Sequence, residues 1–130
     1  MSKAGVILFS HGSRTEGSNR AFKKFVEDIE KKENIAEIRH AFLEFTGPGL
    51  KETAEELISR GVSKIVVVPV FLFPGKHVQD DLPKLVEELK GEHEKVEFVV
   101  TEVIASHPKF KGLIEERIKE GKELVTREEG

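Results

Sequence analysis

Apolar residues along this chain follow two rhythms. Residues 5–9 (Gly-Val-Ile-Leu-Phe) and 64–71 (Lys-Ile-Val-Val-Val-Pro-Val-Phe) are short apolar runs, and residues 37–45 and 96–104 form two more strand-like stretches. Runs of this length bounded by turn formers suit strands buried on both faces. Between them the period becomes helical. Phe22, Phe25, Val26 and Ile29 recur within residues 19–32, and Leu50, Ala54, Leu57 and Ile58 mark a helix that starts near Pro48 and is closed by Gly61. A third helix is expected from a cap at Asp80 or Asp81 to about Lys90, and a fourth from His107-Pro108 to about Leu124. Residues 10–18 and 72–79 read as loops, the second centred on Pro74-Gly75.

Four strands alternating with four helices predict an α/β fold: one doubly wound domain over residues 1–130, with a four-stranded parallel sheet and right-handed crossovers. A chain of 130 residues is long enough to bury one core of its own. The polar residues 126–130 are expected to be disordered.

Composition narrows the function classes. The net charge is -3 with both signs interspersed, so no basic stripe supports nucleic-acid binding. There is no Cys, which excludes a disulfide framework and a thiolate metal site. Met1-Ser2-Lys3 leads straight into a strand without the shape of a signal peptide, and no apolar run matches a bilayer. The expectation is a cytoplasmic protein with no membrane partner.

An open parallel sheet binds ligands beyond the carboxyl ends of its strands. Those ends lead to Ser10-His11-Gly12-Ser13-Arg14, to Glu44, to Gly75-Lys76-His77 and to Ser106-His107. Imidazoles and a carboxylate therefore converge on one edge of the sheet. Neutral imidazole ligates borderline divalent ions such as Co2+ and Ni2+, and two imidazoles without a thiolate leave coordination positions open. Taken singly, His11 also reads as a loop residue beside a capping Ser13, and His77 as a solvated loop residue. Their shared edge favours a metal-holding pair. Glu44, flanked by Phe42 and Phe45, is expected to be partly desolvated and suited to accept a proton, or else is a strand-end carboxylate turned to water. His40 reads as structural, His93 as solvated in a charged turn, and His107 as a capping residue.

The strand followed by His11-Gly12-Ser13-Arg14, the Phe42-Leu43-Glu44 segment, and the run from Phe71 through Phe73-Pro74-Gly75-Lys76-His77 to Asp80-Asp81-Leu82-Pro83 resemble the small CbiX-type sirohydrochlorin chelatases. The likeness runs from about Val6 to about Arg117. It implies a class II chelatase that inserts Co2+ or Ni2+ into sirohydrochlorin, with His11 and His77 holding the metal and Glu44 taking up pyrrole protons. It implies no cofactor beyond the substrate metal ion. Larger relatives carry two such domains, so a single-domain chain is expected to form a homodimer around the macrocycle. The substrate is a polycarboxylate, so Arg14 and Lys76 are candidate cations for it, with Ser10 and Ser13 beside them. A protonated imidazole cannot ligate, so metal binding is expected to weaken below about pH 6.5. This chain has Ser10 where family members often have Gly, and Ala105-Ser106 where they often have a Gly-containing turn.

Two other classes share some of these features. A carrier would bind the metal or the tetrapyrrole without turnover. His11-Gly12 is also similar to part of a histidine-dependent phosphoryl-transfer site, but such an enzyme requires an Arg before the nucleophilic His, where Ser10 stands.

Overall fold

The computed structural model describes residues 3–33, 37–73 and 75–129; the side chains of Lys3, His77, Val78, Glu128 and Glu129 are outside that description. Strands β1 (Lys3–Ser10), β2 (Glu37–Phe42), β3 (Val62–Pro69) and β4 (Glu97–Val100) alternate with helices α1 (Glu16–Lys32), α2 (Leu50–Ser59), α3 (Leu82–Glu92) and α4 (Pro108–Glu129). The strands form one sheet in the order β2-β1-β3-β4, every neighbouring pair parallel. This is the doubly wound α/β arrangement that the alternating rhythm indicates.

The strands are apolar on both faces because both faces bear a core. On one side Ile7, Phe9, Ile65, Val67 and Phe98 pack against Ala54, Leu57, Val86 and Leu89 of α2 and α3. On the other, Leu8 and Ile38 pack against Val26 of α1, with Val6, Phe22, Ile29 and Val68 around them. Close approach is built in at Gly5, where a Cβ would lie 3.0 Å from a Leu57 methyl group and 3.1 Å from one of Val62. Gly61 closes α2 in the left-handed region at φ 92°, a conformation that costs glycine little.

The edge strand β2 is guarded by charge. Arg39 reaches Glu30 at 3.1 Å, Glu56 at 3.4 Å and Glu37 at 3.7 Å, while Arg60 holds Glu37 at 2.7 Å. An edge decorated in this way resists pairing with a foreign strand.

The boundaries differ from the sequence pattern at informative places. Strands β2 and β3 stop at Phe42 and Pro69 rather than at 45 and 71, so Glu44 and Phe71 belong to the loops at the carboxyl edge. Strand β4 ends at Val100, and Ile104–Ser106 is a 3-10 turn instead of strand. Helix α1 starts at Glu16, three residues before the apolar period begins. Asp80 and Asp81 lie within a π-helical turn, His77–Asp81, that feeds α3; Asp81 stands at the N-cap position of α3, without a side-chain capping hydrogen bond. Helix α4 continues to Glu129, so residues 126–129 are helical.

Three histidines lie apart from the carboxyl-edge pair and have structural surroundings. His107 Nδ1 accepts the Lys109 backbone N–H at 3.1 Å, a cap at the start of α4. His93 is more engaged than its charged neighbours suggest: it is half-buried, with Nε2 3.3 Å from the Glu55 carboxylate. His40 lies half-buried with its ring 5.6 Å from that of Phe42. Burial first, and then the nearby Lys23, pull its pKa below the ordinary imidazole value, with Glu27 opposing.

Replacing Leu57, a fully buried residue of α2 packed against β1, with Ala should cost about 2–5 kcal/mol in urea unfolding. The depressed pKa of His40 means that the unfolded chain takes up the proton more readily than the folded one. The stability linked to His40 is therefore complete above the ordinary imidazole pKa of about 6.5 and is lost as pH falls from there through the lower value of the folded state. The urea midpoint of His40→Gln should accordingly fall less than that of the wild type between about pH 7.5 and pH 5.5; equal falls would remove His40 as a source of acid sensitivity.

Candidate active site at the carboxyl edge of the sheet

The two central strands, β1 and β3, send their loops to opposite sides: β1 leads to α1 on one face and β3 leads to α3 on the other. The crevice between their carboxyl ends is the topological switch point, where open α/β sheets place ligands. His11 follows β1 on one side of it. The π-helical turn that opens with His77 follows β3 on the other. Such turns often occur at functional positions, and no periodicity in the sequence announces this one.

Backbone hydrogen bonds continue the sheet past the strand ends. Leu43 N–H donates to Ser10 O at 2.9 Å, Glu44 N–H to His11 O at 3.0 Å, and Val70 N–H to Phe9 O at 2.7 Å. Glu44 is thereby fixed beside His11 although neither lies in a strand. Gly12, at φ 89°, lets the two loops meet, because a Cβ there would collide with the Glu44 carbonyl oxygen.

Behind the loop, Asn19 is a buried polar anchor that no local pattern singles out. Its amide donates to Ser13 O at 2.8 Å and accepts the Ser13 N–H at 2.9 Å. Ser13 Oγ accepts the Thr15 N–H at 3.0 Å, so it shapes the approach to α1 rather than capping it directly. Ser10 takes part through its carbonyl.

The His11 ring stands between Phe45 and Phe71, with centroids 5.8 Å and 6.4 Å away. Nδ1 lies 3.2 Å from the Gly12 carbonyl oxygen. A carbonyl can only accept, so in the neutral tautomer that uses this contact Nδ1 carries the proton and Nε2 presents its lone pair. Nε2 lies 3.2 Å from Glu44 Oε2, and both side chains are about two-fifths exposed, at 41% and 42%. A lone pair facing a carboxylate calls for a positive charge, either a proton or a metal ion. Donors 3.2 Å apart match adjacent ligand positions around a small divalent ion, about 3.0–3.4 Å apart for bonds of about 2.1 Å. No cluster of three or more metal-binding side chains forms among the described residues. Among the described residues, His11 and Glu44 set two donors side by side, partly open to solvent.

Glu44 is less desolvated than its neighbours in sequence suggest, because Phe42 turns into the core while Phe45 stands 51% exposed. Phe45 is left-handed at φ 70°, a conformation that is strained for a bulky side chain. The exposed Arg14 guanidinium lies 5.1 Å over its ring, at cation–π distance. Lys76 is exposed across the crevice, just before the π turn. With Leu72 and Phe73, both largely exposed, Phe45 gives the site an apolar rim. Beyond it, between α3 and the end of β4, an open groove of about 600 Å³ is lined by Pro69, Leu82, Val86, Phe98 and Val103. The acidic Glu16 occupies the first turn of α1, which disfavours phosphate there.

Fold and site together define a doubly wound α/β domain with an imidazole–carboxylate pair and a second histidine-bearing turn at its switch point. The chain belongs to the CbiX family, whose sequence profile matches residues 5–121. It is 32% identical over 123 residues to a sirohydrochlorin cobaltochelatase of Sulfurisphaera tokodaii, covering 95% of this chain and 98% of that one. It is 29% identical over 114 residues to a chloroplastic sirohydrochlorin ferrochelatase of Arabidopsis thaliana, covering 88% of this chain but only 51% of that protein. Among solved structures, a CbiX protein of Marinobacter aquaeolei superposes with a TM-score of 0.81 at 29% identity, covering 92% of this chain and 98% of the other. The fold is also that of the Bacillus subtilis chelatase SirB, with a TM-score of 0.82 at 20% identity over 91% of this chain and 50% of SirB.

Replacing Gly12 with Ala should cost about 1–3 kcal/mol of stability, because it forces a left-handed alanine against the Glu44 carbonyl. A thermal midpoint equal to that of the wild type would show that the two loops are not locked together.

Proposed function

We propose that this chain inserts a divalent metal ion, Co2+ or Ni2+, into sirohydrochlorin. The observation that carries the reading is the His11–Glu44 pair, 3.2 Å apart at the switch point, opposite the turn that bears His77. Its relatives include sirohydrochlorin cobaltochelatases and a ferrochelatase, which supports metal insertion without naming the ion; iron is the alternative to cobalt and nickel. Borderline divalent ions suit imidazole, and Co2+ and Ni2+ overlap in this preference.

In this mechanism His11 Nε2 and His77 hold the aquated ion. The Nδ1 contact to Gly12 and the aromatic walls hold the His11 ring in place. The flat macrocycle rests on the apolar rim of Phe45, Leu72 and Phe73, and Arg14 and Lys76 meet its carboxylates, with Ser10 and Ser13 beside them. Pyrrole nitrogens then replace water and imidazole on the ion. Insertion releases two pyrrole protons for each divalent ion that enters. Glu44 accepts one, and the other leaves with solvent through the open side of the site. Two copies of the chain close over the macrocycle, each supplying one wall. No described helix is long and apolar enough to cross a membrane.

The test is an anaerobic absorbance assay of sirohydrochlorin with Co2+, Ni2+ and Fe2+ offered separately. Wild type should exceed the spontaneous rate, His11→Ala and His77→Ala should lose that gain, and Glu44→Gln should lower it about 10²-fold or more. Arg14→Ala should raise KM for the macrocycle more than it changes metal affinity. Tight binding of metal or macrocycle without acceleration would replace the enzyme with a carrier, and an unchanged KM would remove Arg14 from the substrate site.

A further inference from the structure

The His11 ring meets two acceptors that pull its proton in opposite directions. Its Nε2 lies 3.2 Å from the Glu44 carboxylate oxygen Oε2, and its Nδ1 lies 3.2 Å from the Gly12 carbonyl oxygen. A neutral imidazole has a single proton to donate. The carboxylate is the stronger acceptor, because charge-assisted hydrogen bonds are about twice as strong as neutral ones. Between these two acceptors alone, the ring would place its proton on Nε2. The lone pair would then fall on Nδ1, away from the crevice. A ring that holds a metal ion beside Glu44 requires the opposite tautomer.

The Gly12 carbonyl is reinforced from behind. It belongs to the same planar peptide unit as the Ser13 N–H, and that N–H donates to Asn19 Oδ1 at 2.9 Å. A peptide whose N–H is engaged by an acceptor is polarised, so its carbonyl accepts more strongly in turn. Asn19 Oδ1, the Gly12–Ser13 peptide and His11 Nδ1 therefore form one chain of hydrogen bonds that ends at the ring. Asn19 is well placed at the head of that chain. The residue is only 5% exposed, so water competes weakly for its amide. Its Nδ2 donates to Ser13 O at 2.8 Å, which fixes the sense of the amide. Turned over, an NH2 group would face the Ser13 N–H, and an oxygen would face the Ser13 carbonyl.

We propose that Asn19 is a positioning residue for His11: acting through the Gly12–Ser13 peptide, it holds the ring proton on Nδ1 against the pull of Glu44 and keeps the Nε2 lone pair on the crevice side. The inference rests on the functional reading above, in which His11 is a metal ligand. Groups on the far side of a ligating imidazole set its tautomer and the plane of its ring. Here that group is a backbone carbonyl, and a buried side chain sets its strength. This gives the buried polar residue of α1 a task beyond stiffening the loop. It also explains how a carboxylate can stand beside the imidazole without drawing the ring proton into the place of the metal ion.

The tautomer can be read directly by nitrogen NMR of the imidazoles in the metal-free full chain at about pH 8.5, where an ordinary imidazole is neutral. A protonated ring nitrogen and one with a lone pair give well-separated signals, and the His11→Gln spectrum identifies His11 among the five histidines. Wild type should show His11 protonated on Nδ1; a proton on Nε2 overturns the proposal without recourse to any variant. Asn19→Ala should move the proton to Nε2 and weaken Co2+ binding, followed by calorimetry, about 10-fold or more, with the far-UV spectrum unchanged. An unmoved proton in folded Asn19→Ala overturns the proposal. Asn19→Asp keeps an acceptor for the Ser13 N–H but loses the donor to Ser13 O. It should restore both the Nδ1-protonated ring and most of the Co2+ affinity. A clamp that only stiffens the loop needs both bonds, so an Asp variant as impaired as the Ala variant overturns the relay. In a Glu44→Ala background, Asn19→Ala should shift the tautomer less, because the opposing pull is gone; an equal shift overturns the competition. The tautomer is read without turnover. A wild type that shows the Asn19-dependent tautomer and binds Co2+ but inserts no metal would therefore remove the enzyme while leaving Asn19 its role.

Discussion

Two hydrogen bonds beyond the last paired residue of β2 set up the site. Leu43 N–H to Ser10 O and Glu44 N–H to His11 O carry the β1–β2 ladder onward into what would otherwise be two independent loops. A loop carboxylate and a loop imidazole normally wander over several ångströms. Here each is held by the same regular pairing that holds the core strands, so its position inherits their rigidity. The arrangement requires a residue without a side chain at Gly12, where the second loop passes directly over the first. It also requires the left-handed turn at Phe45 that takes the chain away again.

The surroundings of that pair divide the work between apolar and polar groups. Phe45 and Phe71 fix the plane of the His11 ring without offering it a competing hydrogen bond. Asn19, nearly buried, satisfies both the donor and the acceptor of Ser13 and so stiffens the loop from behind. The donors that face the crevice are left open to solvent. A frame that is rigid and open to solvent suits the proposed transfer of an ion better than its storage.

The fold was legible because its strands are apolar on both faces and its helices are not, and that contrast survives in any window of the sequence. That His11 and Glu44 share an edge followed from their places at the carboxyl ends of two parallel strands. What stayed hidden depends on backbone geometry rather than on pattern. The Leu43–Phe45 segment is as apolar as a strand, yet its residues are spent on a turn. Residues 77–81 carry the acidic pair of a helix cap, yet they wind as one wide turn, because the helix begins earlier than its apolar period. Asn19 looked like an ordinary first helical residue, since nothing local reveals that a polar side chain is buried. Helix α4 carries the right period for a core helix and is found outside the core, a difference that one chain's periodicity cannot express.

The Arg39 cluster on β2 has a bearing on heat. Each charge in it is partly exposed, so at ordinary temperature the individual pairs contribute little. The cost of stripping water from charged groups falls as temperature rises, and networks gain more from this than isolated pairs do. Partial unfolding also grows with temperature, and with it the exposure of strand edges to neighbouring molecules. The edge is thus shielded more firmly under the conditions in which an unshielded one would aggregate. Concentrated salt, which screens such networks, would remove that shield first when the protein is hot.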